Sequence, residues 1–121
     1  MITIYTSPSC SSCRKVIEFF DKEEIPYTQK DIFTFPLKKE EIKSILIKSE
    51  NGTEDIVSKR SKYLKENNID IDSLTINELI ELIQAHPSVL KRPIIVDDHR
   101  IQVGYNEEEI ESFLPIAKKM A

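Results

Sequence analysis

Apolar residues follow two spacings along the first third of the chain. Ile2-Thr3-Ile4-Tyr5 is a short apolar run and reads as a buried strand. Over residues 11–23 the spacing becomes helical, with Val16, Ile17, Phe19 and Phe20 on one side, and Ile25-Pro26 ends the helix. Tyr27 to Ile32 reads as a second strand with Pro26 at its entry. Two strands joined by a helix of this length predict a βαβ unit with parallel strands.

The pattern then changes. Phe33 to Leu37 holds Pro36 and reads as a connection. Lys38 to Ser49 carries a helical stripe at Ile42, Ile45 and Leu46, interrupted by Glu50-Asn51-Gly52-Thr53. Ser58 to Glu66 reads as a helix with a basic cluster at Lys59, Arg60 and Lys62, stopped by Asn67-Asn68. Thr75-Ile76-Asn77-Glu78 is a capping-box pattern, and Leu79, Ile80 and Ile83 carry that helix to about Ala85. After His86-Pro87, the apolar run Ile94-Ile95-Val96-Asp97, a turn to Arg100 and Ile101-Gln102-Val103 predict a hairpin. Asn106 is placed to cap a last helix with Ile110, Phe113 and Leu114 inward, which Pro115 should kink or shorten. The order β-α-β, helices, β-β-α predicts an α/β fold. It is a thioredoxin-like sandwich whose halves, 1–37 and 86–121, flank a helical insert over 38–85, within one domain of 1–121. Pro93 falls where such folds place a cis-proline.

Composition changes the picture little. The chain has 121 residues, 40% hydrophobic, enough for one core. The formal net charge of −4 disfavours sequence-independent nucleic-acid binding by the whole surface but allows a local basic patch. No apolar run approaches membrane-spanning length, and the start lacks the charged and apolar regions of a signal peptide. The expectation is therefore cytoplasmic, with no membrane partner and no cofactor.

Both cysteines of the chain sit at the strand-to-helix turn, in Ser9-Cys10-Ser11-Ser12-Cys13-Arg14-Lys15. Free N–H groups of a helix's first turn favour a thiolate there, and Arg14 and Lys15 add positive charge. The second sulfur is one helical turn on, within reach for a disulfide. We read Cys10 as the attacking thiol and Cys13 as the resolving one. A zinc site would need four ligands, and His86 and His99 lack the spacing of a second half-site. Inert buried thiols are the plain alternative. Asn51-Gly52 suggests a turn with positive φ, close approach by a partner, or simply a helix-ending glycine. Arg60 and Lys62 read equally as a solvated helix face.

Five segments together resemble the Spx family of redox-sensing transcription regulators, within the arsenate-reductase-like superfamily. They are Tyr5 to Lys15, Gly52-Thr53 with Ile56, Ser58 to Ser61, Arg92 to Asp97, and Gln102 to Asn106. The resemblance implies a regulator, not an enzyme, that binds the C-terminal domain of the RNA polymerase α subunit. Such a regulator meets promoter DNA only as part of the polymerase complex. It implies control of thiol-stress genes through a Cys10–Cys13 disulfide. Gly52 matches the polymerase contact and Arg92 an arginine that supports the oxidised form. Arg60 and Lys62 fall in the helix whose shift accompanies activation. A Clp protease with an adaptor is a further implied partner. The chain ends at Lys118-Lys119-Met120-Ala121, shorter than the best-known form.

The rival readings are an arsenate reductase and a glutaredoxin-like oxidoreductase. Binding a multiply charged oxyanion needs convergent cations. Arg60 and Arg92 match two such arginines, but Gly104-Tyr105-Asn106 stands where the third is expected. The reductases also resemble Cys-x-x-Ser-Arg, not the Cys-x-x-Cys-Arg found here. A long helical insert would crowd the groove a glutaredoxin leaves open. Ile47 stands where the regulators lead one to expect a basic residue.

Overall fold

A computed structural model describes residues 2–114. Pro115 and the Lys118–Ala121 tail lie outside the described residues. Strand β1 (Thr3–Thr6) leads to helix α1 (Ser11–Lys22) and strand β2 (Thr28–Asp31). Helices α2 (Lys39–Lys48), α3 (Thr53–Ile56), α4 (Lys62–Glu66) and α5 (Ile76–Ala85) follow, then strands β3 (Ile94–Val96) and β4 (Ile101–Val103). A 3-10 turn over Glu109–Phe113 stands where the sequence predicts a last helix. Its N-cap is Glu108, and Asn106, two residues earlier, accepts the N–H groups of Glu108 and Glu109 through Oδ1 at 2.9 and 3.0 Å. The sheet order is β2-β1-β3-β4, with β1 parallel to β2 and antiparallel to β3, and β3–β4 an antiparallel hairpin. This is the expected thioredoxin-like α/β sheet.

β1 is covered on both faces, and Ile4, Tyr5 and Thr6 are all buried. Ile4 and Ile95 face Val16 and Phe20 of α1 and Phe113 of the final turn. Tyr5, Ile94 and Val96 face α2 and α5 on the other side. In α1, Cys13, Val16 and Phe20 form one buried stripe at spacings of three and four. Burying a side chain such as Phe20 contributes roughly 1.5–3 kcal/mol. The helix stops where Glu24 turns left-handed (φ 54) and the Ile25 N–H bonds back to the Phe20 carbonyl.

The helix predicted over Ser58–Glu66 begins four residues late. Val57 pairs with Leu90 as an antiparallel bridge, the Ser58 N–H bonds to the Val89 carbonyl, and the Lys91 N–H bonds to Ile56. This distant pairing holds Val57 extended, with φ −102 and ψ 129, directly after α3. Arg60 therefore lies in a turn, not in the helix, and Lys62 is the first residue of α4.

Candidate functional site

Cys10 is the N-cap of α1. Its extended backbone (φ −104, ψ 109) turns Sγ over the first turn, where it accepts the Cys13 N–H at 3.1 Å. Both cysteines are free thiols, Cys10 half-buried and Cys13 only 4% exposed. Burial first, then hydrogen bonding to the Cys10 sulfur, pushes the Cys13 thiol up. The Ser7 backbone and the charge of Arg92 pull the other way without cancelling it. Cys13 is thus held neutral beside a more open Cys10.

Cys10, Arg60, Lys62 and Arg92 line one cleft of about 1210 Å³. It runs from the Ser7–Ser12 loop, past residues 58–63 and 88–92, to β4. Arg92 precedes the cis Arg92–Pro93 bond, and its guanidinium stands 5.6 Å over the Phe33 ring. The Lys62 ammonium lies 3.7 Å from Glu66, a surface pair worth little. Cys13 faces a second, smaller groove on the α1 side with Arg14, Ile17 and Gln29. Among the described residues, no three of His, Cys, Asp and Glu converge as a metal set.

Gly52 does not line the cleft, although Glu50 and Asp55 on either side of it do. It is not a helix-ending glycine, since α2 stops at Lys48 with Ser49 extended. Gly52 itself precedes α3 with φ 62 and ψ −126. A Cβ built there meets nothing within 4 Å, so the backbone conformation, not space, demands glycine. Ile47, 83% exposed, shares this end of α2.

Sequence reasoning missed two side chains of the cleft region. Phe33 looked like part of a plain connection but carries the Arg92 guanidinium. Gln102 is 8% exposed and its Nε2 has no hydrogen-bond partner. The only local signal was a lone amide in an otherwise apolar strand.

A dithiol at the N-terminus of the first helix of a thioredoxin-like sheet, with a basic loop over it, defines an arsenate-reductase-like protein. The ArsC family profile matches residues 5–113. The global transcriptional regulator Spx of Listeria innocua is 53% identical over 115 residues, covering 95% of this chain and 88% of its own. Spx of Bacillus subtilis is 50% identical over the same shares of both chains. An arsenate reductase from Vibrio cholerae superposes with a TM-score of 0.82 at 22% identity, covering 93% of this chain and 97% of its own, which shows the shared fold. The chain belongs to the ArsC family and, within it, to the Spx family of global transcriptional regulators.

Proposed function

We propose that this chain is a cytoplasmic, redox-controlled regulator that docks on the C-terminal domain of the RNA polymerase α subunit. The carrying observation is the Cys10–Cys13 pair: one open sulfur at a helix start, one buried neutral thiol a turn away, beside a cleft shared with Arg92 and the start of α4. An oxidising disulfide takes two electrons from the pair and leaves as two thiols. Cys10 attacks first, the Cys13 thiol gives up its proton as it displaces the leaving group, and the intramolecular disulfide forms. That bond fixes the first turn of α1. The change passes across the cleft to residues 58–63 and biases the polymerase-bound state towards thiol-stress promoters. Gly52 and Ile47 form the docking end, separate from the switch. Promoter DNA is met only in the polymerase complex, and a Clp protease with its adaptor sets the protein's lifetime.

Reductase chemistry is disfavoured. Arg60 and Arg92 share the cleft with Cys10, but the third cationic position is Gly104-Tyr105-Asn106, where Tyr105 serves as a ring for the Lys15 ammonium at 5.6 Å.

Titration of the reduced and oxidised protein into the α C-terminal domain tests this, with Gly52→Ala and Gly52→Arg alongside. Gly52→Ala imposes backbone strain alone, whereas Gly52→Arg adds bulk. Saturable binding that Gly52→Arg abolishes and Gly52→Ala largely keeps is the expected result. Absence of binding in both redox states overturns the docking reading. Equal binding in both states with redox-dependent transcription places the switch after docking.

A further inference from the structure

Among the described residues β4 pairs with β3 alone, which leaves one edge of the sheet open. The Asp97 N–H donates to the Arg100 carbonyl at 3.1 Å and the Gly104 N–H to the Pro93 carbonyl at 2.8 Å. Hydrogen-bonded pairs alternate along an antiparallel ladder. Ile95 with Gln102 is then the bonded pair between these two. Ile101 and Val103 must turn their N–H and C=O groups away from β3. Ile101, Gln102 and Val103 all line the large cleft, so this free edge faces it. Among the described residues, no turn, loop or cap hydrogen bond takes up the outward groups.

Two further observations describe what would fit there. Gln102 Nε2 and Arg92 Nη1 are buried donors without acceptors, on the wall of the same cleft. Such groups are costly to leave unmet. Six lysine and arginine side chains line the cleft against three acidic ones, although the whole chain carries a net charge of −4.

We propose that the β4 edge is a docking strand for an extended acidic segment of a partner protein, which joins the sheet as a fifth strand inside the cleft. The edge offers donors and acceptors in alternation, which matches another peptide backbone. A nucleic-acid backbone offers acceptors only, and its phosphates would confront the Ile101 and Val103 carbonyls. A second copy paired edge to edge would bring two Arg60 and Lys62 clusters together, which like charge opposes. Side chains of an added strand alternate between faces. Those on the side of Ile101 and Val103 lie towards the helices and the basic turn at Arg60, and are acidic. The one between them lies beside Gln102 and carries an acceptor for Nε2. Gly52 and Ile47 do not line this cleft, so the edge is a different surface from the proposed docking end.

The test uses the full chain and a blocked peptide alternating glutamate and glutamine, followed by amide exchange. Saturation should slow exchange at Ile101 and Val103 at least threefold while Gln102, already bonded to β3, changes little. N-methylation of the peptide on the edge facing β4 should abolish the effect, and methylation on the opposite edge should not. Arg60→Glu with Lys62→Glu should weaken binding at least tenfold. No protection at Ile101 and Val103 overturns the proposal, as does equal binding of a lysine–glutamine peptide. A DNA duplex that reproduces the same protection, or a concentration-dependent dimer that already protects the two amides, overturns it in favour of that other occupant.

Discussion

Cys10 and Cys13 are three residues apart yet stand in different surroundings, and the difference has a thermodynamic consequence. Burial raises the Cys13 thiol in the folded chain above its unfolded value. While both states hold the proton, its contribution is constant. Once the unfolded chain ionises, above pH about 8.5, folding is opposed. Stability of the reduced protein should therefore fall as pH rises beyond that point, and Cys13→Ser should flatten the fall. Urea midpoints across the alkaline range check this. Gly52 offers a second residue-scale prediction. Its φ of 62 with ψ −126 is open to glycine and strained for other residues. Gly52→Ala should cost about 1–3 kcal/mol through strain alone, read from the same unfolding curves. Neither environment was legible in the sequence. Asn51-Gly52 announced a turn, but whether it closed a helix or stood apart depended on where α2 stopped.

At the scale of elements, one carboxylate ties α2 to the sheet. Glu41 accepts the Tyr5 hydroxyl at 2.6 Å and the Lys30 ammonium at 3.1 Å through Oε2, and the Lys38 N–H at 3.0 Å through Oε1. Burial alone would raise its pKa, but these three donors together hold the carboxyl below the usual range. The stabilisation is present above the unfolded value near pH about 4.3 and is lost as pH falls through the folded one. Glu41→Ala should cost about 2 kcal/mol at neutral pH, and the gap from the native chain should close in acid. Chemical denaturation at pH values on both sides of that range measures it. Elements with local signals were legible. The stripe of α1, the capping box of α5 (Thr75 Oγ1 accepting the Glu78 N–H at 3.1 Å) and the hairpin all stand where predicted. The helix expected from Ser58 was not, because Val57 and Leu90, far apart in the chain, compete for that backbone.

For the whole molecule, the main product of folding is the cleft. Its thiol, basic turn, Arg92 loop and open strand edge come from four separate stretches of chain, each readable alone and none announcing the others. The thioredoxin-like order was visible in the alternation of strands and helices, whereas the placing of Arg60, Lys62, Arg92 and Cys10 around one cleft arises only from packing. If the disulfide acts by moving α4, the protein already carries a gauge of that movement. Tyr63 of α4 stacks on the His86 ring, with centroids 3.7 Å apart and planes 21° from parallel. The chain has no tryptophan and only four tyrosines. Its intrinsic ultraviolet emission is therefore tyrosine light, free of indole background, with one emitter pressed against an imidazole. Oxidation that displaces α4 should part the rings and brighten that emission, and Tyr63→Phe should erase the change. A signal indifferent to oxidation would mean that disulfide formation leaves α4 in place.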